Sequence, residues 1–63
     1  MRQKDIKAAL AAVRFYQRTR GVEEEIVRHS PLHYHIADLV TGLMELSKRE
    51  GLNFRRILKD AGE

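Results

Sequence analysis

From Leu32 onward, apolar residues return at every third or fourth position: Leu32, Ile36, Leu39, Val40, Leu43, Met44 and Leu46. At about 100° per residue this spacing gathers them into one broad stripe of a helix, opposite Asp38, Thr41, Glu45, Lys48 and Arg49. Ser30 is a preferred N-cap, and Pro31 suits a first helical position because its missing amide would be unpaired there anyway. Gly51 can take the left-handed conformation that ends a helix. The pattern therefore predicts a helix over 31–50. A shorter helix follows over 53–61, capped by Asn53, with Phe54, Ile57, Leu58 and Ala61 on one face and Leu52 placed to staple against Ile57.

The first half carries two apolar sets. Ile6, Ala9, Leu10, Val13 and Tyr16 form one; Ala8, Ala12 and Phe15 lie well around the cylinder from them. If the helix runs on through Gly21, the second set extends through Thr19, Val22 and Ile26 in a heptad-like 4-3-4-3-4 spacing. A continuous helix over 4–29 is the expected form. One interior glycine costs only about 1 kcal/mol, and Gly21 would fall on the polar stripe of Lys4, Lys7, Arg14 and Arg18. The alternative breaks at Gly21 and makes Val22 to His29 a separate short helix. No strand-like alternation appears, so the expected class is all-α, a helical hairpin with a short C-terminal helix.

Length limits what such a hairpin can bury. With 63 residues the chain is one small domain with a thin core, because a chain of this size buries only about 60% of its unfolded surface. It has no cysteine, so disulfides and thiolate metal sites cannot supplement that core, and self-association is the expected supplement. A long first helix with two apolar faces needs two partners. Both lines point to a homodimer packed as a four-helix bundle, its interface formed by Ala8, Ala12, Phe15, Val22 and Ile26. No signal-like or membrane-spanning run is present, and the absence of cysteine fits a reducing compartment, so the expected location is the cytoplasm. The net charge of +3 is a mild lean toward polyanions and decides nothing alone.

Three histidines crowd the stretch RHSPLHYH, residues 28–35. A zinc site needs three or four ligands converging at about 2 Å. His29 and His33 have helical spacing but fall on different helices, which leaves His29, His35 and Asp38 as the nearest approach to a site. The simpler reading is a helical corner, with His29 favourably placed at a helix C-terminus, and no metal or other cofactor is expected. The run Glu23-Glu24-Glu25 invites comparison with helical nucleotide pyrophosphatases, but the paired carboxylates three residues apart that magnesium would require are missing. Neither a phosphate loop nor a nucleophile elbow is found, so no enzymatic activity is expected.

The basic residues support a different chemistry. LMELSKREGLNFRRILKD has the outline of a helix-turn-helix centred on Gly51, with Arg55, Arg56 and Lys59 on the second helix where they would meet phosphates or guanine edges. Glu50 and Asp60 stand where that motif usually has apolar residues.

The segment from Asp38 to Ala61 carries Asp38-Leu39, Leu43, Glu50-Gly51-Leu52-Asn53-Phe54, Leu58 and Ala61. In this it resembles short uncharacterised helical proteins of actinobacteria and their phages, departing from them at Gly42 and at Asn53, where an acid is expected. The resemblance implies an all-helical fold and no particular activity. The expected function is a non-enzymatic interaction or regulatory module of the kind a phage or mobile element encodes, binding itself and an unidentified protein partner. DNA binding through the 53–61 helix is the alternative.

Overall fold

In a computed structural model, which describes residues 2–62, the chain forms four helices and, among the described residues, no strand. They are α1 (Gln3–Thr19), α2 (Glu24–His29), α3 (Leu32–Arg49) and α4 (Phe54–Ala61). The all-α class and both C-terminal helices follow the hydrophobic pattern. Asn53 caps α4 as expected, its side-chain oxygen accepting the Arg56 amide at 3.1 Å.

The first half differs from the continuous helix expected over 4–29. Gly21 sits at φ +86°, and α1 has already ended at Thr19. The Val22 amide donates to the Gln17 carbonyl at 3.0 Å and the Gly21 amide to Arg18 at 3.0 Å, which together make a Schellman closure. Gly51, at φ +71°, closes α3 by the same device, with Leu52 donating to Ser47 and Gly51 to Lys48. The two glycines are therefore equivalent stops, and α2 is a separate short helix, as in the alternative reading. A second difference is smaller. Pro31 is the cap residue of α3, with ψ 134°, rather than its first turn, and the Ser30 side chain makes no cap bond.

α1 and α3 meet over residues 16–20 and 35–42. Tyr16 lies on Gly42, Gln17 meets His35 and Asp38, and Arg20 reaches Asp38. Around this seam the molecule is thin, with extents of 34 × 29 × 16 Å and a radius of gyration of 12.9 Å, against about 11 Å for a compact domain of this length. Its accessible surface of 5797 Å² exceeds by roughly 1600 Å² the amount typical of a folded 7.3 kDa chain. Folding thus buries only about 45% of the unfolded surface, well short of the usual ~60%. Val13 is the one buried apolar residue among those described.

Candidate interaction surface

The contact between α1 and α3 is built from polar groups. Gln17 is fully buried, and the two hydrogens of its amide nitrogen go to His35 Nδ1 at 2.8 Å and Asp38 Oδ2 at 2.8 Å. Its oxygen accepts from Arg20 Nη1 at 2.7 Å, and the same guanidinium pairs with Asp38 at 3.4 Å and lies over the Tyr16 ring. The Asp38 carboxylate fixes the orientation of the amide, because a flipped Gln17 would aim oxygen at oxygen. An accepting Nδ1 then puts the His35 proton on Nε2, which is buried without a hydrogen-bond partner. The hydrogen bond from Gln17, followed by the Arg20 charge, holds the Asp38 carboxyl below its ordinary pKa against a desolvation effect of opposite sign.

This network accounts for two of the three residues nearest to a metal site. His35 and Asp38 do face one element, but what joins them is an amide. His29 lies elsewhere, its Nε2 3.3 Å from Glu25 on the exposed side of α2. Among the described residues no group of three His, Cys, Asp or Glu is placed to hold a metal ion. Gln17 was missed in the sequence because it falls on the apolar side of α1, four residues after Val13, where a polar residue gives no signal of its own. The one trace of the seam was the spacing of three between His35 and Asp38.

Because α1 takes the His35–Asp38–Gly42 edge of α3, the apolar stripe of α3 stays open, about a third of a turn away. Ile36, Leu43 and Met44 are each 44–49% exposed. Ile57 and Leu58 leave α4 open in the same way. The expected interface of Ala8, Ala12, Phe15, Val22 and Ile26 does not form one seam. The break at Gly21 leaves Ala8, Ala12 and Phe15 on the outer side of α1, where Phe15 is 67% exposed, and moves Val22 and Ile26 to the α2 corner. There Val22 lines a cleft of about 440 Å³ between α1, α2 and the start of α3, while Ile26 is exposed. Arg55, Arg56 and Lys59 are exposed together around a shallow depression shared with Asn53 and Asp60. No helix among the described residues is long and apolar enough to cross a membrane.

Compared with known proteins, the chain matches no family model, no curated protein and no solved structure.

Proposed function

We propose that this chain is a non-enzymatic protein-interaction module that works as a homodimer, the second copy supplying the missing layer of its core. The observation that carries this reading is the surplus of accessible surface. Roughly 1600 Å² per chain, taken twice, falls within the 2000–5000 Å² that obligate homodimers bury. The apolar stripe of α3 and the face of α4 are the surfaces in need of cover, and two such hairpins packed together make a four-helix bundle. The chemically capable groups of the seam are engaged in holding α1 to α3, which supports a structural role for them. Light scattering or sedimentation at micromolar concentration tests the reading: a dimer is expected, and a folded 7.3 kDa monomer overturns it.

A second reading has one observation in its favour. The turn at Gly51 and the Asn53 cap present Arg55, Arg56 and Lys59 together on α4, an arrangement suited to duplex DNA. Such binding would weaken steeply with salt, because each neutralised phosphate releases a counterion. Duplex titrations at two salt concentrations decide it.

A further inference from the structure

We propose that the cleft at the corner of α1, α2 and the start of α3 is a docking groove for an acidic, amphipathic helical segment of a partner protein. The inference rests on the protein-interaction half of the reading above and gives that partner a chemistry. Leu10, Val13, Val22, Val27 and Leu32 line the cleft, whose volume is about 440 Å³. Around them stand three guanidinium groups, Arg14, Arg18 and Arg28, and a single carboxylate, Glu24. All four are exposed, and none makes an ion pair among the described residues. Glu24 precedes Arg28 by one turn of α2, a spacing at which opposite charges offset each other in part. Arg14 and Arg18 have no such neighbour. They sit one turn apart on α1, a like-charge arrangement that disfavours the helix carrying it, and no carboxylate lies three or four residues from either. The start of α3 adds to the same sign, since its first turn holds no acidic residue and no side chain caps it.

A surplus of positive charge around an apolar floor selects the occupant. A helix with carboxylates one turn apart matches the Arg14–Arg18 pair, about 6 Å along the axis in both, and lays its apolar face on the floor, the helix-in-groove mode of recognition. A second copy of this chain fits worse, because its own cleft brings the same surplus and its net charge is +3. A nucleic acid strand has the right charge but no apolar face to cover the floor, and it finds no aromatic side chain in the cleft on which to stack a base. Phosphate alone would likewise leave the floor uncovered. Ile36, Leu43 and Met44 do not line the cleft, so the partner groove and the stripe assigned to the second copy consist of different residues.

Fluorescence anisotropy of the full chain with a labelled peptide of about four helical turns, leucines on one face and glutamates flanking it, provides the test. Two control peptides carry lysines in place of the glutamates, or serines in place of the leucines. The first peptide is expected to bind with a Kd of about 10 μM, and each control roughly tenfold more weakly or worse. In R14E/R18E/R28E the preference is expected to reverse, with the lysine peptide bound better than the glutamate one, a result that also shows the variant to be folded. R55E/R56E, on α4, is expected to leave the affinity for the acidic peptide within about twofold, because those side chains lie outside the cleft. The proposal is overturned by no binding at about 100 μM, by a serine peptide that binds as well, by an unreversed preference in the triple variant, or by an equal loss in R55E/R56E. A single-stranded oligonucleotide that displaces the peptide as well as unlabelled peptide does overturns the choice of partner. Sedimentation equilibrium of the chain alone reads the homodimer separately: a monomer that still binds the peptide loses the dimer and keeps the groove, and a dimer that binds none loses the groove alone.

Discussion

The two sides of α3 invert the usual arrangement of a small domain. The edge that meets α1 is polar: Gln17 and His35 are buried there and hydrogen-bonded to each other, and Gln17 also donates to the half-exposed Asp38. The stripe beside it is apolar and open, with Ile36, Leu43 and Met44 close to half exposed. Burial of apolar area is the main favourable term in folding, at about 25 cal/mol per Å², whereas an internal hydrogen bond nets only about 1 kcal/mol. The seam therefore sets the position of α1 more than it stabilises the fold. Ile36, Leu43 and Met44, whose burial would contribute more, stay largely open in the single chain.

The sharpest way to break this comparison is to put a charge on the open stripe. In the isolated chain Leu43→Glu replaces a residue already 44% exposed, so its effect on the monomer is small. In a dimer covering that stripe, it buries an unpaired carboxylate on each side of the axis, and association is expected to weaken by about a hundredfold or more. Sedimentation together with helical circular dichroism reads both quantities. Phe15→Ala sharpens the result from the opposite side of α1. Full burial in a heptad seam would make that truncation cost about 3–5 kcal/mol. With Phe15 67% exposed, the helix content of the chain is expected to be unchanged, and a dimer lost on this substitution would place the interface on the Ala8–Phe15 face instead.

A smaller effect is expected inside the seam. Gln17→Leu keeps the volume but strands the buried His35 ring nitrogen, and leaving one such buried group without its partner costs about 1–3 kcal/mol, whereas the half-exposed Asp38 turns to water. Urea unfolding at neutral pH measures it. Acid gives an independent check. The folded-state pKa of Asp38 is depressed, chiefly by the Gln17 hydrogen bond, so its contribution is present above the ordinary aspartate range, about pH 4, and is lost as pH falls through the lowered value. Gln17→Leu should therefore narrow the stability difference between neutral and acid solution. An unchanged difference would show that Gln17 does not couple to Asp38.

Much of the α3–α4 half was legible because the stripe from Leu32, the glycine stop at 51 and the Asn53 cap mark the observed boundaries, although Ser30 does not cap α3 and Pro31 precedes its first turn. The seam was not legible, because its central residue is a glutamine on an apolar face and periodicity averages over single exceptions. Nor could the stripe itself say what covers it. Ile36 and Leu43 would look the same in sequence whether they pack on α1 or on another chain, and only the placement of Gln17 against the Asp38 edge reveals that α1 is already engaged there.

Gly21 gives the smallest expected effect and the clearest sign. It closes α1 by the same pair of backbone hydrogen bonds with which Gly51 closes α3, yet it was readable as an interior glycine. After Gly51 comes Asn53, whose side chain caps the next helix, whereas after Gly21 comes Glu23, which makes no cap bond, so nothing at that junction announces a new start. The two readings predict opposite outcomes for Gly21→Ala. Within a continuous helix, alanine would stabilise by about 1 kcal/mol through its higher propensity. At φ +86° the same methyl finds open space but a backbone conformation that L residues rarely adopt, and the expected result is a loss of about 1–2 kcal/mol. A thermal unfolding midpoint that falls in Gly21→Ala supports the break between α1 and α2, and with it the corner cleft that the break creates; a midpoint that rises restores the single long helix and removes the cleft.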